Sequence, residues 1–144
     1  MKIAICLSGL VGNTKGKSDD YPTGDNEVLK LAYKHWKEQI INNNSDIDFF
    51  VHSWDLDHQH QIRLLFNPKT FLFEKQKKFS VPEHIKGDAK RNQAHYSRWY
   101  STMMSVDLKS EYETNNNFKY DWVMISRFDI AWKVPVIFNE YNNK

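Results

Sequence analysis

Short apolar runs alternate with longer amphipathic segments along the chain. The runs occupy residues 2–7, 48–54, 70–73, 122–125 and 134–138. Runs of this length that stay apolar on both faces are typical of strands buried inside a parallel sheet. We therefore predict a strand at each of these places.

The segments between these runs show helical spacing. Asp25 or Asn26 can cap a first helix that continues to about residue 41. Two more helices are predicted, a short one through 64–66 and a long one over 89–113. Strands that alternate with helices predict an α/β fold, with a mostly parallel sheet and helices on both faces.

The composition indicates a folded domain. The 144 residues suffice for a single hydrophobic core, so 1–144 is predicted to be one domain. The net charge of +2 gives no argument for a nucleic-acid partner, and no apolar run approaches the length of a membrane span. Cys6 is the only cysteine, which makes the reducing cytoplasm the simplest location. Its place in an apolar run predicts a buried, inert thiol.

The most informative segment is 119–133, KYDWVMISRFDIAWK. Its strand would deliver Ser126, Arg127 and Asp129 at the carboxyl end, the edge where open α/β sheets bind ligands. Side chains two residues apart on a strand project to the same side, so Arg127 and Asp129 can act together. Such a pair can hold a metal–diphosphate group or form a structural ion pair, and the sequence leaves both open. Asp121, at the opposite end, is better suited to cap the strand.

Two other strands end at the same edge. The first ends at Ser8 and Gly9, and a glycine permits close approach of the backbone to a ligand. The second ends at His52 and Trp54, which either line the cleft or simply pack. These four residues are therefore candidates for ligand contact.

An acidic and histidine-rich group follows the second strand. It lacks cysteine and shows no pair of histidines one helical turn apart, so zinc binding is not favoured. His58 and His60 would face different directions on a helix, and a solvated loop is the simpler interpretation. The members of the group are Asp55, Asp57, His58 and His60.

Gly16-Lys17-Ser18 matches the end of the phosphate-loop motif G-x-x-x-x-G-K-[ST]. However, Val11 stands where the motif has its first glycine, and a helix must begin at the Lys-Ser pair to direct its amides at phosphate. Asp19 and Asp20 would place two anions beside that phosphate. A polar loop is therefore favoured over a kinase or NTPase site.

The start of the long helix carries a polar stripe. Gln93, Ser97 and Ser101 recur every four residues, beside His95 and Arg98. Such a stripe can face a ligand or water, and because most polar helix faces are solvated, water is favoured.

Several segments, taken in order, resemble bacterial and viral glycosyltransferase-like proteins of the GT-A type. They are KIAICLSGLVGN, DIDFFVHSWD, NPKTFLFEKQKKF and a QAHYSRWYS helix that leads to FKYDWVMISRFDIAW, and together they span nearly the whole chain. The resemblance implies a Rossmann-like sheet, a nucleoside diphosphate sugar as donor and an unidentified acceptor. It also implies an Asp-x-Asp motif that binds a divalent metal and the diphosphate. The corresponding tripeptide here is Arg127-Phe128-Asp129, which has one of the two carboxylates.

This resemblance assigns roles to the candidates. Asp129 would ligate Mg²⁺ or Mn²⁺, and Arg127 would bind the diphosphate. No catalytic base can be named, and the chain is interpreted either as a whole domain or as the N-terminal part of a transferase. A non-catalytic nucleotide-binding module and a phosphate-loop enzyme remain alternatives. The predicted donor-binding residues are Ser8, Gly9, His52, Trp54, Arg127 and Asp129.

Overall fold

A computed structural model describes residues 1–14 and 24–141 of the protein. Strands and helices alternate along this part of the chain, and the four strands form one parallel sheet in the order β3-β2-β1-β4. The predicted α/β fold with a parallel sheet is confirmed. The elements are β1 (Ile3–Gly9), α1 (Asn26–Gln39), β2 (Ile47–Ser53), α2 (Gln59–Phe66), β3 (Thr70–Phe73), α3 (Ala89–Asn116) and β4 (Trp122–Ser126).

Helices cover both faces of the sheet. Because side chains alternate along a strand, Ile5 and Leu7 of β1 point to the face that carries α1 and α2. There they join Trp36 and Phe66 in the larger core. Cys6 points to the opposite face, where α3 packs. The thiol is fully buried, and burial raises its pKa to about 12, in agreement with the predicted inert cysteine.

Short-range signals set the helix ends. Asp25 caps α1, because its carboxylate accepts a hydrogen bond from the Glu27 N–H at 2.8 Å. Asn67 and Asn117 end α2 and α3 in the left-handed conformation, with φ of 43° and 54°. Asparagine tolerates this conformation better than most residues, which suits both positions to a helix end.

The face of α3 that packs on the sheet is polar. At its C-terminal end, Glu113 accepts hydrogen bonds from Lys109 Nζ at 2.8 Å, Lys119 Nζ at 3.0 Å and the Tyr120 N–H at 2.9 Å. Burial opposes ionisation of Glu113, but these bonds outweigh it and lower its pKa to about 2. The buried residues of this face are Ser97, Ser101, Ser105, Lys109 and Glu113.

Residues 134–138 do not form the strand that was predicted. The segment returns to the face of α1, where Val136 and Phe138 pack on the larger core. Asn44 holds its backbone, donating from Nδ2 to the Val136 carbonyl at 2.7 Å and accepting from the Phe138 N–H at 2.9 Å. Pro135 has no N–H to give to a strand ladder. The apolar pattern reflects core packing here, which periodicity alone does not distinguish from a strand.

The strand order creates a crevice at one edge of the sheet. From β1 the chain crosses to β2 through α1 on one face, whereas α3 brings it back to β4 on the other face. The connections therefore diverge between the carboxyl ends of β1 and β4. Open α/β sheets bind ligands at such a topological switch point.

Candidate functional site

A cleft with a volume of about 400 Å³ lies at this switch point. The ends of β1 and β4 contribute to it together with the first half of α3. Its size and position make it the candidate ligand site of the described chain. Its lining includes Ser8, Gly9, Trp54, His95, Arg98 and Arg127.

Gly9 brings the backbone of β1 to the cleft. Its φ of 99° is unfavourable for other residues, and no atom lies within 4 Å of the place a Cβ would take. Its N–H donates to Ser101 Oγ at 2.9 Å, and its carbonyl accepts from Ser53 Oγ at 2.7 Å. A ligand can therefore approach Gly9 closely, although the N–H group is already engaged.

A chain of hydrogen bonds connects Gly9 to the interior. Because Ser101 Oγ accepts from the Gly9 N–H, its own hydrogen is free to point at His52 Nδ1, 2.7 Å away. This places the imidazole hydrogen on Nε2, which donates to Glu74 Oε1 at 3.0 Å. His52 and Ser101 are fully buried, and burial lowers the pKa of His52, which favours the neutral ring. We call these four residues the β1 relay.

Trp54 lines the cleft and is held from behind. Its ring stacks on Tyr100, with centroids 5.4 Å apart and planes inclined by 21°, and His52 packs edge-on at 4.8 Å. Lys77 bonds the Tyr100 hydroxyl and pairs with Glu74 at 3.1 Å. Because only 6% of Trp54 is exposed, it offers a ligand a small apolar area in this conformation.

Arg127 and Asp129 form an ion pair just beyond β4. Arg127 Nε and Nη2 donate to the two carboxylate oxygens of Asp129, each at 2.8 Å. These hydrogen bonds raise the pKa of Arg127. The Arg127 side chain stays 42% exposed and lines the cleft, whereas Asp129 is 16% exposed and does not line it. Of the two arrangements that the sequence left open, this is the ion pair.

Asp129 has no uncommitted oxygen for a divalent cation. Mg²⁺ and Mn²⁺ require several oxygen ligands, whereas both oxygens of Asp129 already accept from Arg127. Within residues 1–14 and 24–141, no three His, Cys, Asp or Glu side chains converge as a metal site. The residues in this arrangement do not fit a resident metal, and Mg²⁺ or Mn²⁺ binding by Asp129 stays a prediction.

The polar stripe of α3 faces the protein. Ser97 is buried and accepts from Gln76 Nε2 at 3.0 Å, and Ser101 belongs to the β1 relay. The prediction of a solvated stripe is therefore wrong at both serines, because α3 packs this face on the sheet. Arg98 lines the cleft, although it was not among the predicted donor-binding residues. Its spacing of one turn from Thr102, which also lines the cleft, was the available signal.

Asp55 and His58 pair beyond the end of β2. His58 Nδ1 lies 2.8 Å from Asp55 Oδ1, which also accepts from the His58 N–H at 3.1 Å. The Asp55 N–H in turn donates to Ser53 Oγ at 3.0 Å. The predicted solvated loop holds for neither histidine. His60 is exposed but lies in the first turn of α2, and this pairing holds His58 against the protein.

The predicted donor-binding residues separate into two layers. His52 and Asp129 stand behind the cleft, where each positions a neighbour by hydrogen bonds. The phosphate-loop residues 16–18 lie outside the described residues. The members that line the cleft are Ser8, Gly9, Trp54 and Arg127.

Comparisons with known proteins add no assignment. No family model, no curated protein and no solved structure matches the chain. Within the described ranges, no helix is long and apolar enough to cross a membrane.

Proposed function

We propose that the cleft binds the nucleoside diphosphate sugar of a glycosyl transfer reaction. The observation that carries the proposal is a cleft at the switch point of a parallel sheet with an arginine, Arg127, in its lining. The planar guanidinium matches pairs of phosphate oxygens. The resemblance of the Arg127-Phe128-Asp129 tripeptide to the diphosphate-binding motif of GT-A transferases supports the same ligand.

Negative charge develops on the diphosphate during the reaction. The bond between the anomeric carbon and the phosphate oxygen breaks, and the acceptor oxygen bonds to that carbon while its hydroxyl proton passes to water. The electron pair departs with the nucleoside diphosphate. Arg127 stabilises this developing negative charge, and Asp129 fixes the orientation of the guanidinium through two hydrogen bonds.

The remaining contacts suit the rest of the donor. Gly9 leaves open space where a side chain would otherwise stand, so a sugar or phosphate can lie against the backbone. The hydroxyl groups of Ser8 and Thr102 line the same cleft. Trp54 supplies the apolar area that the base or the sugar would contact.

A second candidate function is nucleotide binding without catalysis. No Asp or Glu of the described residues lines the cleft, and an inverting transferase needs such a base near the acceptor hydroxyl. Binding of the donor without turnover for any acceptor would favour this alternative.

Calorimetric titration tests the proposal. The protein is titrated with UDP, GDP, CDP and ATP, with and without Mn²⁺, and one diphosphate is expected to bind preferentially. Arg127→Gln should weaken that binding roughly tenfold or more, because a charge-assisted bidentate contact is lost. Arg91→Gln is the matched control, since Arg91 lies on α3 but outside the cleft lining.

Each outcome is decisive. Binding of no diphosphate, or equal affinity for the Arg127 and Arg91 variants, would contradict the proposal. A strict Mn²⁺ requirement would instead support the predicted metal role of Asp129. ATP binding that survives Arg127→Gln would point to the phosphate-loop class.

A further inference from the structure

Arginine and histidine are the only ionisable residue types that line the cleft in the described part of the chain. Within the described residues they are Arg127, Arg98 and His95, and no carboxylate joins them. A cleft lined by one sign of charge concentrates the field and attracts ligands of the opposite charge. The cleft is therefore built for an anion.

These side chains differ in whether a described carboxylate pairs with them. Arg127 is compensated by Asp129 through two hydrogen bonds. Arg98 and His95 form no hydrogen bond or ion pair with any described residue, whereas Glu74 and Lys77 pair with each other. The uncompensated positive charge of the cleft thus belongs to α3 rather than to the end of β4.

We propose that Arg98 and His95 form an anion subsite on α3, which takes a diphosphate group without a divalent metal. The inference rests on the proposed function, in that it assigns the charge of the same donor to particular residues. Residues three apart on a helix share one face, so both side chains can reach one group of phosphate oxygens. Arg98 supplies the fixed charge, and His95 supplies a ring nitrogen as hydrogen-bond donor.

The surrounding residues fit this role. Ser97 lies between the two on the helix and is engaged with Gln76, whose amide is held at 3.0 Å. This contact ties the segment after β3 to α3 and keeps the wall of the cleft in place. Metal-free recognition is consistent with the same geometry, because no carboxylate of the described residues lines the cleft and both oxygens of Asp129 accept hydrogen bonds from Arg127.

The first arm of the experiment uses inorganic pyrophosphate as the probe. Calorimetry in the presence of EDTA should show binding to the wild-type protein, and Arg98→Gln should weaken it about tenfold. Arg98→Lys should recover part of the affinity, because the charge is retained but the planar fork is lost. Arg91→Gln, on the same helix outside the cleft, should change affinity less than about twofold.

The second arm uses Asp129→Asn, for which the two hypotheses predict opposite signs. If Asp129 held a metal, the variant would lose the pyrophosphate binding that is measured with Mn²⁺. In the proposed subsite the variant releases the Arg127 charge, so affinity is expected to stay equal or to rise severalfold. Circular dichroism spectra and thermal midpoints of all variants exclude unfolding as the cause of a loss.

The outcomes separate this inference from the proposed function. Pyrophosphate binding that depends on Arg98, with no preference for any nucleoside diphosphate, would retain the subsite and reject the nucleotide-sugar donor. Nucleoside diphosphate binding that is equal in the Arg98 and Arg91 variants would reject the subsite alone. Loss of pyrophosphate binding in EDTA, restored by Mn²⁺, would overturn the metal-free recognition.

Discussion

Replacement of Ser101 by alanine tests the β1 relay most directly. Ser101 Oγ is the single atom that joins the Gly9 N–H, at 2.9 Å, to His52 Nδ1, at 2.7 Å. The residue is fully buried on the face of α3 that packs on the sheet. Loss of this hydroxyl therefore removes the hydrogen bonds that link β1, β2 and α3 at the carboxyl edge, without a change in the apolar core.

The size of the destabilisation follows from the two polar groups that lose their hydrogen-bond partner. His52 is fully buried, so its Nδ1 would lose its partner out of reach of water, at a cost of about 1–3 kcal/mol. The Gly9 N–H lies at the cleft, where water can replace the lost bond, so only the net value of about 0.5–1.5 kcal/mol is at stake. We expect Ser101→Ala to lower the free energy of unfolding by about 1.5–4.5 kcal/mol.

Urea unfolding followed by circular dichroism measures this difference. Ser105→Ala is the matched control, because Ser105 is equally buried on the same face and its Oγ bonds only the Thr102 carbonyl, at 2.8 Å within the helix. The control should change stability by less than about 1 kcal/mol, since alanine is also the better helix former. Hydrogen exchange at the Gly9 amide should accelerate in Ser101→Ala and not in Ser105→Ala.

Equal stability of the two alanine variants would refute the reasoning. It would mean that His52 Nδ1 finds another partner or that the relay is not formed in solution. An unchanged exchange rate at Gly9 in Ser101→Ala would lead to the same conclusion from an independent observable.

Two further predictions concern the two buried groups on the α3 side of the sheet. The pKa of Glu113 is about 2 in the folded protein and near 4.5 without its partners, so the folded state is stabilised above pH 4.5 and loses this contribution as the pH falls toward 2. Glu113→Gln should flatten the acid limb of the unfolding curve in that window, and an unchanged limb would contradict the assigned hydrogen bonds. Burial raises the pKa of Cys6 to about 12, so a thiol-specific disulfide reagent should react with it roughly a hundredfold or more slowly than with free cysteine. Denaturant should restore the rate, and fast labelling of the native protein would show that the sheet opens on this side.

Local sequence patterns predicted most of the strands and helices. Asp25 begins α1 through its side chain, and Asn67 ends α2 through its left-handed backbone conformation. Neither residue needs a distant partner for this. The apolar runs of β1 and β2 predicted buried strands because a parallel sheet covered on both faces admits few polar side chains. The failure at 134–138 has the complementary cause. Its apolar side chains are required by the core, and only the folded core shows that Val136 and Phe138 reach it without a strand.

The candidate site depends on contacts between residues far apart in the chain more than on local sequence patterns. Ser8 and Gly9 could be placed at the ligand edge, since the end of a parallel strand is recognisable from the sequence. The pairing of Gly9 with Ser101, 92 residues later, could not. The position of His52 behind the cleft could not be predicted for the same reason, because a buried histidine and a cleft histidine can have the same local sequence. Its partners Ser101 and Glu74 come from two other elements.

The sequence by itself determined the alternation of strands and helices, the carboxyl edge as the place of the site, and Arg127 and Asp129 as neighbours. These follow from periodicity and from capping, which act within a few residues. The tertiary structure decided which of these groups line the cleft and which stand behind it, and it brought Arg98 of α3 to the end of β4. Hydrogen-bond direction, burial and compensation of charge depend on groups far apart in the chain, so they exist only once the sheet has formed and α3 has packed on it.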